Sequence, residues 1–261
     1  LNLERIDLYV RYDQPLSRCE LACFKSCVQR RLKREPVAYI TGEKEFWSMS
    51  LSVSADVLIP RPETECLVEA ALSYLSEPHC PVSPGGGRRV LELGTGSGAV
   101  ILALAAHRPS EHYFATDCSI RAVKAAESNV RRHRLDGKVA FVVGDWFAPF
   151  RSLGPGFDMI VSNPPYIPTL DIPGLQPEIS MYEPRLALDG GLDGLVCLRR
   201  IIGTAADHLR GGGILLLEIG HSQKRQIEEI VDANGGYEAV SFLKDYGGYH
   251  RVLRIRKKAN D

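Results

Sequence analysis

Short apolar runs alternating with helix-periodic stretches fill the chain from Val90 onward, and this rhythm restricts the fold more than any other feature. The runs Val90–Leu93, Tyr113–Thr116, Val139–Val143, Met159–Val161 and Ile214–Leu217 are apolar on consecutive residues, not on every second one. A strand of that kind is buried on both faces, as in a parallel sheet covered by helices. The helical patterns at Ala99–Ala106, Ile120–Arg132, Leu192–Leu209 and Lys224–Ala233 supply the covers. The expected fold is therefore α/β, with a doubly wound, mostly parallel sheet. Tyr237–Leu243 and Val252–Arg256, joined through Tyr246-Gly-Gly-Tyr249, read as an antiparallel edge hairpin that brings the sheet to seven strands.

The front of the chain follows other patterns. Ile6, Tyr9 and Val10 share one helical face, and after the break at Asp13-Gln-Pro15 so do Leu21, Phe24 and Val28. Glu35-Pro36 ends this helical part, because the residue before a proline is pushed out of the α region. Between Tyr39 and Ile59, Leu51, Val53 and Ala55 alternate with serines, as in a half-buried hairpin. Pro60-Arg-Pro-Glu-Thr64 then caps a helix running to Leu75, and Ser76–Gly87, with its prolines and glycines, reads as an exposed linker. The expected organisation is a small helical domain over 1–35, a linking β-hairpin over 36–60 and the α/β domain over 61–261. The chain begins with Leu1 and not Met, so an upstream start is expected.

Open α/β sheets bind ligands beyond the carboxyl ends of their strands. At those ends the chain carries Gly94-Thr-Gly-Ser-Gly98, then Asp117, then Asp145-Trp146, then Asn163-Pro-Pro-Tyr166. The glycine loop lets backbone amides approach a ligand closely, Asp117 can take both hydroxyls of a ribose, and Asp145 beside the Trp146 ring suits an adenine. The loop alone fits a methyl-donor site, a dinucleotide site or a plain tight turn. Two features weigh against a dinucleotide: its fingerprint places the third glycine one residue later than Gly98, and Glu92 at the end of the first strand would repel a pyrophosphate. Glu92 suits instead the ammonium of a methionine-like tail. In Asn163-Pro-Pro-Tyr166 the prolines fix two φ angles and remove two amide donors. The carbonyls and the Asn163 side chain are left as rigidly placed acceptors for a planar NH2 group, with Tyr166 to wall its other face.

Leu91-Glu-Leu-Gly-Thr-Gly-Ser-Gly98, Asp117, Asp145-Trp146 and Asn163-Pro-Pro-Tyr166 resemble class I S-adenosylmethionine methyltransferases acting on exocyclic or amide nitrogen. Arg34-Glu-Pro-Val-Ala-Tyr-Ile-Thr-Gly42, Glu45-Phe-Trp47, Leu58-Ile-Pro-Arg-Pro-Glu-Thr64 and Tyr182-Glu-Pro-Arg-Leu-Ala-Leu188 resemble, more narrowly, the peptide chain release factor glutamine N5-methyltransferases, the HemK/PrmC family. The resemblance implies a Rossmann-like fold, S-adenosyl-L-methionine as methyl donor, and the glutamine of the Gly-Gly-Gln motif of bacterial release factors as acceptor. It implies donor contacts from Glu92, Gly94, Thr95, Gly96, Ser97, Gly98, Asp117, Asp145, Trp146 and Asn163. It implies that Asn163, Pro164, Pro165 and Tyr166 hold the glutamine amide, with Asn163, Pro164 and Tyr166 carrying the chemistry. Arg61 and Glu63 stand either at the mouth of the acceptor site or merely at the start of a helix. The family carries a longer N-terminal helical domain that helps dock the release factor, of which the last portion is expected here.

Two rivals share the same core logic: a ribosomal-protein glutamine methyltransferase and a DNA adenine N6-methyltransferase working on a flipped base. Pro60-Arg-Pro-Glu-Thr64 favours the release-factor branch, whose relative tends to show Arg-Ser-Pro there. A formal net charge of zero and the lack of a base-reading insertion argue against direct nucleic-acid binding. Seven cysteines without a C-x-x-C pair indicate reduced thiols, hence a cytoplasmic location. Cys19, Cys23 and Cys27 form one helical stripe without a nearby histidine, and are expected to pack and not to bind metal. No apolar run reaches about 18 residues, so no membrane segment is expected. The expected state is a monomer without metal. His107, His112 and His133 are expected at the surface, and His221 is a minor candidate for the pocket wall. The basic run Arg30–Arg34 reads as a solvated face or a contact for an acidic partner or RNA.

Overall fold

The computed structural model describes residues 3, 5–77, 86–150 and 156–259. Its first helices are α1 (Arg5–Val10) and α2 (Arg18–Leu32). Ser17 starts α2 with a reciprocal cap: its hydroxyl accepts the Glu20 amide, and the Glu20 carboxylate accepts the Ser17 amide at 2.8 Å. Arg34, at φ +70°, turns the chain out of the helix before Pro36. A short α3 (Val37–Thr41) follows, and then a two-stranded hairpin of β1 (Glu43–Phe46) and β2 (Met49–Ser52). Trp47 and Ser48 both have positive φ, as a two-residue hairpin turn matching strand twist requires.

Several expectations for this part are corrected. The apolar faces of α1 and α2 are not buried: Ile6, Tyr9, Val10 and Phe24 are each at least 60% exposed. The cysteine stripe shares this fate: Cys19 and Cys23 are exposed, Cys27 is half-buried, and no residue of α2 is fully buried. The basic run is not a free face. Arg30 pairs with Glu35, while Arg31 and Arg34 grip Glu178 at 2.7 and 2.8 Å. Tyr182 adds a hydroxyl bond of 2.6 Å to the Lys33 carbonyl. Leu51 and Val53 are buried as expected, but Ala55 lies exposed in the turn that follows.

A 3-10 turn (Pro62–Thr64) leads into α4 (Glu65–Leu75), with Thr64 at the cap position but making no side-chain cap bond. Most of the expected linker, 78–85, lies outside the described residues. The α/β body then runs β3 (Arg89–Leu93), α5 (Ala99–His107), β4 (His112–Asp117), α6 (Ile120–Arg132), β5 (Val139–Val143) and β6 (Phe157–Ser162). After the short α7 (Pro177–Ser180) come α8 (Val196–His208), β7 (Leu209–Glu218), α9 (Lys224–Asn234), β8 (Tyr237–Lys244) and β9 (His250–Lys257). The fourth expected helix starts later than its pattern suggested, since Leu192 is 82% exposed in the loop before α8.

The main sheet has seven strands in the order β5-β4-β3-β6-β7-β9-β8, parallel except for the final β9 and β8. Its central strands feed both layers by simple alternation. Val90, Met159, Val161, Ile214 and Leu216 pack with Leu67 and Tyr74 of α4 and Ile101 of α5. Leu91, Leu93, Ile160, Leu215 and Leu217 pack with Leu198 and Ile201 of α8 and Ile227 of α9. No helix among the described residues is long and apolar enough to cross a membrane.

Candidate active site

The winding of the sheet reverses between β3 and β6, and the ends of these strands are locked together there. The Ser162 hydroxyl, fully buried, donates to the Leu93 carbonyl at 2.7 Å. A switch point of this kind opens a crevice at the carboxyl edge. A cavity of about 270 Å³ occupies it, lined by Glu92, Gly94, Thr95, Gly96, Ser97, Asp117, Asp145, Trp146, Asn163 and Pro165. Gly98 lies off its wall and instead lets two helices meet: at φ +81°, a Cβ there would stand 2.7 Å from Leu102 Cδ1 and 3.1 Å from the Ala126 Cβ.

The loop is shaped by its own hydrogen bonds. Asp117 Oδ2 accepts the Gly96 amide and Oδ1 the Ser119 amide, each at 2.9 Å, so the carboxylate is fixed while each oxygen keeps a lone pair. Asp145 forms a 2.6 Å ion pair with Arg200 at the surface, a partner the sequence pattern did not suggest. Glu92 is buried and accepts the Thr95 hydroxyl at 2.5 Å. Burial pushes its carboxyl up to about 8; Asp117 adds to the rise and the Thr95 bond opposes it.

Asn163 stands on the wall shared with a second cavity of about 300 Å³, which is also lined by Pro164, Tyr166, Arg61, Glu63, Glu218 and Arg251. Asn163 Nδ2 donates to Thr64 Oγ1 at 3.1 Å, and the Tyr166 phenol donates to Glu218 Oε1 at 3.2 Å. The Tyr166 phenol is pushed well above its usual range, first by burial and then by Glu218. Its backbone carbonyl accepts Gln223 Nε2 at 3.0 Å, and Ile167 pairs with the 188–190 segment, so the far end of the proline turn is held as Thr64 holds Asn163. Arg61 does not cap α4. It binds the fully buried Glu183 carboxylate at 2.5 Å, and that carboxylate also accepts the Ile59 amide at 3.2 Å.

Thr64, Glu218 and Arg251 belong to this site but were not singled out from the sequence. Glu218 carries a sequence signal: it is a carboxylate ending an apolar strand, the same placement as Glu92. His221, the minor candidate for the pocket wall, is exposed, lines neither cavity and meets the Tyr249 ring edge-on. His107 and His112 are exposed, while half-buried His133 bonds the Ser50 carbonyl at 2.8 Å. The described residues contain no cluster of three or more metal-ligating side chains.

A solved methyltransferase from Pyrococcus furiosus has the same fold, with a TM-score of 0.57 over 88% of this chain and 98% of that one at 20% identity. Residues 75–172 match the family model "Methyltransferase small domain", and residues 1–42 match "PrmC N-terminal domain". A doubly wound sheet with a glycine loop after β3 and a proline turn after β6 thus defines a Rossmann-like methyltransferase. The release factor glutamine methyltransferase of Rhodospirillum rubrum is 41% identical over 92% of this chain and 70% of its own length. That of Moorella thermoacetica is 40% identical over 97% of this chain and 86% of its own. The chain belongs to the release factor glutamine methyltransferase family.

Proposed function

We propose that the protein transfers a methyl group from S-adenosyl-L-methionine to the side-chain amide nitrogen of the glutamine in the Gly-Gly-Gln motif of bacterial release factors. The observation that carries this reading is the place of Asn163 on the wall between two cavities, with its NH2 engaged by Thr64. Oδ1 is then left to accept a hydrogen from a planar amide in the second cavity. Kinship with enzymes named for glutamine methylation supports an amide over a nucleic-acid base as acceptor.

The first cavity suits the donor in chemistry as well as position. Glu92 would meet its ammonium, Asp117 its ribose, and Trp146 with Asp145 its adenine, while Gly94–Ser97 would bring backbone close. Bound there, S-adenosylmethionine supplies a methyl group on a positively charged sulfur. An amide nitrogen is a poor nucleophile because its lone pair is delocalised. Acceptors from Asn163 and the Pro164 carbonyl orient its hydrogens and support the positive charge that develops during attack. Tyr166 walls the acceptor, and Arg61 with Glu63 shapes the entrance. A cytoplasmic site of action accompanies such a substrate.

The deciding experiment incubates labelled donor with a release factor, with a ribosomal protein or with adenine-containing DNA. Label on the release factor glutamine is expected; label on DNA alone overturns the reading.

A further inference from the structure

Glu218 ends β7 at the ligand-binding edge of the sheet, paired across to Val252 and beside Arg251. It is 1% exposed and lies on the wall of the acceptor cavity. Oε1 takes the Tyr166 phenol, the Thr64 hydroxyl faces the same carboxylate, and Oε2 is buried without a hydrogen bond of its own. An unpartnered carboxyl oxygen in a buried site is costly, and a fold that keeps one next to a reaction centre holds an open acceptor there.

We propose that Glu218 receives, through Oε2, the proton that the acceptor nitrogen loses during methyl transfer. This rests on the glutamine reading given above. The nitrogen lone pair forms the new N–C bond as the S–C bond breaks and its electrons pass to sulfur, so positive charge moves from sulfur to nitrogen. The Glu218 carboxylate then takes one of the two N–H protons, the one that the Pro164 carbonyl had oriented, while the other stays hydrogen-bonded to Asn163 Oδ1. The products are a neutral N-methyl amide, a neutral thioether and a neutral Glu218 carboxylic acid, which returns its proton to solvent. Atoms and charge balance without a further reactant.

The surroundings set Glu218 for this role. Burial pushes its carboxyl up to about 7; the Thr64 hydroxyl, Arg251 and the Tyr166 phenol pull it down, and Glu63 pushes it up. Arg251 is itself held by Asp245 at 3.2 Å and by the Ile219 carbonyl at 3.3 Å, so it is shared and does not lock Glu218 in the charged form. Arg61, the remaining charge near Tyr166, is committed to Glu183. Glu63 also lines the cavity but is exposed to water. A base whose proton affinity sits near the working pH is the efficient one.

The test measures kcat and KM against pH with the full chain, S-adenosylmethionine and an intact release factor. Wild-type kcat is expected to rise with pH along a limb centred near 7. Glu218→Gln should lower kcat by about 100-fold and lose that limb, with KM for the donor changed less than about 3-fold. Glu218→Asp should recover part of the rate together with the limb, which a purely structural role does not predict. A Glu218→Gln enzyme within about 3-fold of wild type and with the same limb overturns the proposal. If thermal melts show that Glu218→Gln does not fold, the wild-type profile decides, and a flat line from about pH 5.5 to 8.5 overturns it. Absence of transfer by wild type is a separate outcome, which removes the glutamine reading itself.

Discussion

The Asn163 side-chain amide donates to the Thr64 hydroxyl at 3.1 Å, across 99 residues of sequence. This bond decides which end of the amide faces the second cavity. Asn163→Ala is therefore expected to lower methyl transfer by on the order of 10²–10³ or more, with donor affinity within about 3-fold of wild type by calorimetry. Thr64→Val, which keeps shape but loses the hydroxyl, should cost about tenfold in kcat, and Thr64→Ser should restore most of it. Equal turnover in Asn163→Ala would sink the assigned role.

Donor binding should be linked to a proton at Glu92. Its carboxyl, raised from 4.5 to about 8, is mostly protonated at neutral pH. Pairing with an ammonium favours the ionised form, so binding at pH 7 should release about one proton. Donor affinity should accordingly rise as pH climbs toward about 8. Titration calorimetry in buffers of different ionisation enthalpy measures the release, and Glu92→Gln should abolish it. Heats that do not depend on the buffer in wild type would refute the pairing.

The same group makes the fold less stable as pH rises. A folded value above the unfolded one means that the native state binds extra protons between about 4.5 and 8, so unfolding free energy falls across that window. Without ligand, thermal melts of wild type should decline from pH 5 to pH 8 more steeply than those of Glu92→Gln. Parallel curves would show that Glu92 does not titrate as described.

Glu183 is expected to be structural first. Its side chain is fully buried and binds both Arg61 and the Ile59 amide, joining the 182–188 segment to the loop before α4. Glu183→Ala leaves Arg61 without its partner and should cost about 3 kcal/mol in denaturant unfolding. A loss below about 0.5 kcal/mol would mean that the pair is a surface-like contact.

Two of the loop's three glycines, Gly96 and Gly98, should separate by mechanism. Gly96→Ala meets nothing within 4 Å at φ +54°, so its cost is backbone strain of about 1–2 kcal/mol. Gly98→Ala adds collisions with Leu102 and Ala126 and should destabilise the protein more. Comparing the two melts checks this, and equal losses would contradict it.

The strands and helices of the α/β body could be read from the chain because each is a local pattern. Ile120–Arg132 is periodic at helical spacing and forms α6 with those bounds, and the runs at Val90–Leu93 and Met159–Val161 are buried by necessity of their composition. Glu92, Asp117 and Asn163 were likewise exposed to inference, since the ends of successive parallel strands converge on one edge. Partnerships were not. That Thr64 holds Asn163, that Arg61 spends its charge on Glu183 instead of a helix end, and that Arg31 and Arg34 close on Glu178 depend on segments more than 90 residues apart. The exposure of Phe24 and the cysteine stripe was equally invisible, since a periodic pattern gives a helix its apolar face but not the layer that covers it. Local order follows from the spacing of residues along the chain. The raised proton affinity of Glu92 and Glu218 arises when folding withdraws those carboxyls from water.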